Sequence, residues 1–285
     1  MDKTIAFLEL KYGHVYGGSQ WQKVVNDASV LVYKPETNRI RIYTKTFRSN
    51  LDIVLSHGIA DEYGITSGRK FEVLDMANGR IKPYDEEFQL SEDERNHLRI
   101  NFTKLKGQLK QFILGIMKYH RLDSLITYGG SRDISLLEHS GIRFNRGPRI
   151  EDTQRLLQKY TKHLFSLNMI SKIVNFEYAG GWMTSNNCEY RIADRTQPQM
   201  RDNTATYDVC RAFLAHMEFT NYQQDMIIKA ALQMQKVQSI LKEKEDAKAA
   251  EEPTEPEIPV VEEEATVEET DVTIEETDTP DTTEE

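Results

Sequence analysis

Three arginines recur at three-residue spacing in a segment that also contains glycine and proline: Arg143, Arg146 and Arg149. Guanidinium groups neutralise phosphates, and long charged side chains in a loop are free to meet a ligand. The segment is therefore predicted to bind nucleic acid. A second basic group lies earlier in the chain, at and just before a predicted helix. A solvated helix face is the simpler interpretation of this group. Its members and the aromatics near them are Arg95, His97, Arg99, Lys104, Lys106, Lys110, Phe102, Tyr128 and Phe144.

The overall charge argues against a nucleic-acid binder only until it is divided along the chain. The 285 residues carry a formal net charge of −10. Residues 251–285 hold 16 of the 46 acids and no Lys or Arg, so the first 250 residues carry a net +6. A folded body of that charge remains compatible with binding phosphates.

Cysteine content and hydropathy bound the class of protein. Cys188 and Cys210 are too few for a disulfide framework and lack the spacing of a zinc site. The sequence shows no cleavage-site pattern near its start and no apolar run of about 18 residues. We therefore expect a cytoplasmic protein without a membrane partner.

Apolar periodicity predicts an α/β protein. A meander of three strands is expected first, and helices alternating with short strands follow from residue 102 onwards. The segment 178–202 has few apolar residues and predicts a long surface loop. The expected strands are 4–10, 28–33, 40–44 and 124–128, and the expected helices are 102–120, 133–139, 151–163, 166–175, 204–217 and 222–248.

The predicted domains are a body of residues 1–220, an amphipathic helix over 221–249 and an acidic tail over 250–285. Proline, Glu and Thr in excess, with no aromatics, predict that this tail is disordered. The last helix has an apolar seam, which docks on its own domain or self-associates with a second copy. The seam consists of Ile227, Ala230, Met234, Val237 and Leu241.

Four segments together resemble the DnaQ-like 3′-5′ exonucleases, a ribonuclease H-like family that includes the proofreading epsilon subunit of bacterial DNA polymerase. Residues 57–62, beginning with His57, look like the family's His-Gly-Ile segment. Residues 128–137, which contain Asp133, look like its second motif, and residues 203–209, which contain Asp208, look like its third. The fourth is the Asp-Thr and Ser-Leu pair of segments at 150–153 and 166–170. The resemblance implies a mixed sheet, with a three-strand meander followed by parallel strands and with helices on both faces.

The resemblance also implies a site for two divalent ions held by four carboxylates, which stabilise the attacking and leaving oxygens. Matching the first motif through Gly13 puts Leu8 and Leu10 where the family has its two acids, and Asn203 where it has a catalytic His. Only Asp133 and Asp208 then remain. They imply at most weak binding of one Mg²⁺ or Mn²⁺ and a degenerate active site.

Three functions stay open. The first is a non-catalytic protein that binds single-stranded DNA or RNA, or a DNA replication partner, through His57, Asn203 and the arginines. The second is an active metal-dependent exonuclease that uses Glu9 with Asp133 and Asp208 in a rearranged site. The third is an interaction scaffold that uses the helix at 222–248. Structural roles compete with the site roles, because Asp133 and Asn203 could each cap a helix.

Overall fold

The structure is a computed structural model that describes residues 3–16, 21–61, 66–85, 92–145 and 147–251. The predicted acidic tail from residue 252 onwards and Arg146 lie outside these residues. Eight strands in the described part of the chain form one large sheet. They are β1 (Ile5–Tyr16), β2 (Trp21–Lys34), β3 (Arg39–Thr46), β4 (Asp52–Ala60), β5 (Thr66–Asp75), β6 (Arg80–Pro83), β7 (Ser124–Thr127) and β8 (Arg149–Asp152).

Helices and a second, smaller sheet complete the described chain. The strands of the small sheet are β9 (Glu177–Ala179), β10 (Trp182–Thr184) and β11 (Glu189–Arg191). The helices are α1 (Glu92–His120), α2 (Ser131–His139), α3 (Thr153–Thr161), α4 (Leu167–Ile173), α5 (Ala205–Asn221) and α6 (Gln223–Glu251).

The large sheet is mixed but mostly antiparallel. Strands β1, β2 and β3 form the predicted antiparallel meander. The first half of β1 pairs in parallel with β7, and β7 pairs in parallel with β8. The second half of β1 meets β4 at His14 and Val54, and β5 and β6 extend that side in antiparallel register. The α/β class is confirmed, whereas the expected arrangement, a three-strand meander followed by parallel strands, does not describe this mostly antiparallel sheet.

The two faces of β1 bury different side chains, because residues of a strand alternate between faces. Leu8 and Leu10 enter the core beneath α1, whose residues Leu105 and Leu109 are also buried there. Phe7 enters the opposite core, beneath α5, where its ring meets Phe213 edge-on at 5.1 Å between centroids. Helices therefore cover the sheet on both faces, as predicted.

The segment predicted as a surface loop is folded instead. It contains β9, β10 and β11 and a short 3₁₀ helix, Asp194–Gln199. Its few apolar residues, among them Met183 and Ile192, are fully buried against α5. Glu218 of α5 holds the segment by accepting hydrogen bonds from the hydroxyl of Ser185 and from the backbone and side-chain amides of Asn187, at 2.6, 2.6 and 2.9 Å.

The seam of α6 docks on its own domain, which is one of the two alternatives left open by the sequence. Ala230 is fully buried in a core that also contains Tyr128, Leu157 and residues of α5, and Met234 packs against that core. Leu241, the last residue of the predicted seam, is exposed. The apolar stripe therefore stabilises the fold of this chain over its first half.

Candidate functional site

Strand β1 presents Glu9 and Lys11, and not Leu8 and Leu10, to the face that carries Asp208. Leu8 and Leu10 are at most 3 % exposed and belong to the core beneath α1. Glu9 and Lys11 alternate with them and share the face of Phe7, over which α5 packs. Leu8 and Leu10, which the sequence matched to the first motif, therefore do not face Asp208. The positions on the site's face hold one acid and one base.

Asp133 lies in the first turn of α2, where the chain leaves β7. Gly129, with a φ of +64°, and Gly130 make the turn, and a Cβ at Gly130 would stand 2.3 Å from the Cβ of Thr127. Gly130 is the N-cap of the helix, so Asp133 is not the cap that the sequence allowed. Its carboxylate instead accepts a hydrogen bond from the backbone N–H of Leu10, which ties α2 to β1.

Asp208 is positioned by the anchored start of α5. The backbone N–H of Ala205 donates to Asp27 of β2 at 3.0 Å, and the hydroxyls of Thr206 and Thr44 are 2.8 Å apart. Thr204 caps the helix through its hydroxyl, which accepts from the N–H of Tyr207, so Asn203 is not the cap. The first turn of α5 is thereby fixed over β1 and β2.

Both carboxylate oxygens of Asp208 are bound by cations of the chain. The ammonium of Lys11 contacts Oδ2, and a terminal nitrogen of Arg211 lies 2.9 Å from Oδ1. The guanidinium of Arg211 is held in turn by the hydroxyl of Ser171 at 2.8 Å and by Oδ1 of Asn168 at 2.6 Å. A metal ion that used Asp208 would have to displace at least one of these cations.

Glu9, Lys11, Asp133, Asp208 and Arg211 are called the charge cluster below. Burial raises the pKa of Glu9 well above its usual value, and repulsion by Asp133 and Asp208 adds to the rise. Burial also raises the pKa of Asp133 to about 7, with a contribution from Asp152. Desolvation opposes the charge on Lys11, but attraction to Asp208 and Glu9 outweighs it and raises the pKa of Lys11. Within the cluster, the side chains of Lys11 and Arg211 are therefore the counter-ions of the acids.

The residues present do not fit a two-metal centre. A pair of divalent ions needs carboxylates free to bridge or chelate them. In the described part of the chain, no three Asp, Glu, His or Cys side chains come together as a group that could hold a metal ion. Lys11 instead supplies positive charge to these acids from the chain itself.

A polar cleft of about 540 Å³ opens beside the charge cluster between the end of β4, α4 and the start of α5. Its lining includes Asn168, Lys172, Phe176, Asn203, Tyr207 and Arg211. The ring of Tyr207 meets Phe176 edge-on at 5.3 Å between centroids and lies 5.7 Å from the guanidinium carbon of Arg211. Three acids, Asp61, Glu177 and Asp202, also line the cleft. Cationic groups, amides and an aromatic ring thus meet in one concave surface.

The residues predicted to bind nucleic acid do not all lie at the polar cleft. Asn203 lines the polar cleft, with a left-handed φ of 65°. His57 lies on β4 with its Nε2 3.6 Å from Glu72; burial lowers its pKa, and Lys11 is close enough to contribute. Arg149 begins β8 and Asp152 ends it, so Arg149 is at the far end of that strand from the charge cluster. Arg143 follows the C-terminus of α2, away from Asp133 in its first turn.

Lys11, Arg211, Lys172 and Phe176 belong to the site but were not singled out in the sequence. Arg211 could have been found from its spacing, since residues three apart on a helix are neighbours and Asp208 is its partner. Lys11 can be assigned to the site only when it is known which side chains of β1 face α5. Lys172 and Phe176 come from α4 and from the chain after it, and no local pattern links them to α5.

Comparison with protein family models and with curated proteins gives no match for this chain. The likeness to the exonucleases therefore depends on the residues and their arrangement. Among the helices of the described residues, none combines the length and apolarity that crossing a membrane requires.

Proposed function

We propose that this chain binds the end of single-stranded nucleic acid in the polar cleft and does not cleave it by a two-metal mechanism. The observation that carries the proposal is the ion pair of Lys11 with Asp208 inside a group of acids, directly beside the cleft. An ammonium in that place supplies the counter-charge that the family resemblance assigns to metal ions. The cleft then serves as a binding surface, while the ammonium of Lys11 takes the place of metal ions at the catalytic position.

Although the large sheet is mostly antiparallel, we infer that five of its strands form a ribonuclease H-like core. Within the large sheet, the antiparallel meander β3-β2-β1 continues into the parallel strands β7 and β8. Asp133 follows β7 and Asp208 lies on a helix packed over β1, in agreement with the order of the second and third motifs. Strands β4, β5 and β6 are then an antiparallel addition to this core.

The chemistry of the cleft suits a terminal nucleotide. Tyr207 supplies an aromatic ring for stacking a base, and such stacking tolerates any sequence. Lys172, whose ammonium donates to the carbonyl oxygen of Asp61 at 3.0 Å, and Arg211 are the two cations of the cleft that would exchange a present partner for a phosphate, while the three acids limit the number of phosphates that it can hold. Two phosphate contacts predict a slope of about −1.4 for log affinity against log salt on a single strand.

The test is fluorescence anisotropy with end-labelled single-stranded DNA and RNA, carried out in EDTA and again in Mg²⁺. We expect binding that does not need divalent ions and that weakens roughly tenfold in Lys172→Gln and in Tyr207→Leu. The matched control is Lys159→Gln on α3, since Lys159 is exposed and does not line the cleft. Absence of binding to either nucleic acid, or equal affinity in all variants, would refute the proposal.

Catalysis is tested on the same strands. Incubation with Mg²⁺ or Mn²⁺ should release no nucleotides, because both oxygens of Asp208 are engaged by Lys11 and Arg211. Release of nucleotides that is abolished in Asp208→Asn would contradict the non-catalytic part of the proposal while leaving the binding part intact.

A second candidate is an active exonuclease with a rearranged site. One observation favours it: Glu9 shares the face of Asp208 and is close enough to Asp133 and Asp208 for their charges to raise its pKa. Mn²⁺ would then enter between Glu9 and Asp133 and displace Lys11 from Asp208. Calorimetry decides this, since the candidate requires saturable Mn²⁺ binding by the wild type and its loss in Asp133→Asn.

A further inference from the structure

A second cavity, of about 500 Å³, lies at the other end of the large sheet, where β2 and β3 meet the last turn of α1. Its polar lining consists of Lys34, Thr37, Arg39, Arg41, Tyr119 and His120, and none of the acids in the described part of the chain lines it. We call it the basic pocket. It contrasts with the polar cleft, where three acids accompany two cations.

The strand register concentrates positive charge in the basic pocket. Lys34 of β2 is paired directly with Arg39 of β3, and Val32 with Arg41, so the three cations project from one face of the sheet. Like charges directly opposite each other on neighbouring strands repel and destabilise the pair. In the described residues, no salt bridge is formed by any of the three. All three side chains are exposed, so solvent screens part of this repulsion, and a bound anion would offset the remainder.

The pocket is also ordered on its α1 side. The hydroxyl of Tyr43 lies 2.7 Å from Nε2 of His120, and Arg41 is hydrogen-bonded by Tyr43 and Tyr119. The side chain of Arg41 is thereby directed towards the end of α1. Tyr119 is 72 % exposed, and its ring meets that of His120 edge-on at 4.7 Å between centroids.

The dipole of α1 does not account for the charge. The C-terminal end of a helix carries roughly half a negative charge, which attracts nearby Lys, Arg or His. Three permanent cations exceed that by several fold. Burial, together with the charges of Arg41 and Lys34, lowers the pKa of His120, as expected where positive charge is uncompensated.

We propose that the basic pocket binds the phosphate groups of a nucleotide, through Lys34, Arg39 and Arg41, with the ring of Tyr119 available to stack on the base. Two arginines match the oxygens of a diphosphate or triphosphate in geometry and charge. The same chemistry is presented by a free nucleoside polyphosphate and by consecutive nucleotides of a strand. The pocket is separate from the polar cleft, so this inference goes beyond the function proposed above.

The experiment is isothermal titration of the full chain with inorganic pyrophosphate and with ATP, in EDTA at low salt. Saturable binding is expected, and the double variant Arg39→Gln/Arg41→Gln should bind roughly tenfold or more weakly, because two charge-assisted hydrogen-bonding groups are lost. Arg191→Gln, an exposed arginine of β11 on the α5 side, is the matched control and should bind as the wild type does. The Arg39 and Arg41 side chains are exposed, so the fold should survive their replacement.

Competition then identifies the source of the phosphates. If oligo(dT) displaces ATP, the pocket belongs to the path of a nucleic-acid strand; if it does not, the ligand is a free nucleotide. No saturable binding of pyrophosphate or ATP, or equal binding by the double variant and the wild type, would overturn the inference. Neither result bears on the polar cleft, which is tested by Lys172→Gln and Tyr207→Leu.

Discussion

Replacing Lys11 by methionine tests whether the charge cluster is held together by its own cations. The variant keeps the length and apolar stem of the side chain and removes the ammonium that contacts Asp208. At an effective dielectric constant of about 20, two unit charges about 3 Å apart attract by roughly 5 kcal/mol. Desolvation of the ammonium offsets much of this attraction. The Lys11 side chain is also 27 % exposed, and Arg211 still holds Asp208, so we expect a net loss of about 1–3 kcal/mol at pH 8.

The loss should depend on pH in a defined direction. At pH 8 Asp133, with its pKa of about 7, is mostly ionised and repels Glu9. Lys11 then offsets more negative charge than at pH 5.5, where Asp133 is protonated. The destabilisation by Lys11→Met should therefore be larger at pH 8 than at pH 5.5, a difference that a packing defect would not produce.

The measurement is urea unfolding followed by tryptophan fluorescence at both pH values. A double-mutant cycle with Asp208→Asn isolates the pair and should give a coupling free energy of about 1 kcal/mol or more at pH 8. Lys159→Met is the control for loss of a lysine outside the cluster. A coupling near zero, together with equal destabilisation at the two pH values, would refute the assignment of Lys11 as the internal counter-ion.

Four further outcomes follow from buried groups. Asp133→Asn should stabilise the protein at pH 8 by up to about 4 kcal/mol, because the folded state raises the pKa of Asp133 from 3.8 to about 7. This gain should disappear as the pH falls towards 4, which urea unfolding across that range can measure. Burial lowers the pKa of His216 from 6.5 to about 4, so this residue should contribute a loss of up to about 3 kcal/mol as the pH falls from 6.5 to 4, opposite in sign to the contribution of Asp133. His216→Asn should flatten that part of the stability profile. Glu218→Ala removes the acceptor of three hydrogen bonds and should cost about 2–4 kcal/mol in thermal unfolding, whereas Glu218→Gln should cost less. Lys11→Glu should create a Mn²⁺ site, detectable by electron paramagnetic resonance, that the wild type lacks.

Helices in which the apolar periodicity extends over several turns were predictable from the sequence, but their first turns were not. The pattern from Phe102 onwards predicts the buried face of α1 correctly, since Phe102, Leu105 and Leu109 all face the sheet. The helix itself begins ten residues earlier, at Glu92. Those first turns contribute few buried residues, so no periodicity marks them.

The face of β1 could not be decided from its sequence. A strand with helices on both sides carries apolar residues on both faces, and Phe7, Leu8 and Leu10 form an apolar segment that only Glu9 interrupts. Either register is then compatible with the motif, and Gly13 appeared to choose between them. The packing of α1 against Leu8 and of α5 against Phe7 decides it, and neither contact is local in sequence.

Strand β6 and the strands of the small sheet were not predicted, for a different reason. Three residues are too few to show alternation, and all four residues of β6 are exposed. The small sheet is held by Glu218, which comes from a helix about thirty residues further along the chain. A buried carboxylate with three donors is visible only in three dimensions.

The counter-ions of the cluster determine how ligand binding should respond to solution conditions. In a site whose acids need metal ions, removal of those ions leaves mutually repelling carboxylates and weakens binding of a phosphate. Here Lys11 and Arg211 already engage both oxygens of Asp208, and part of the remaining repulsion is relieved by the raised pKa values of Glu9 and Asp133. Binding in the polar cleft should therefore tolerate EDTA. It should instead weaken as the pH rises through 7, because ionisation of Asp133 adds a negative charge to the cluster beside the cleft.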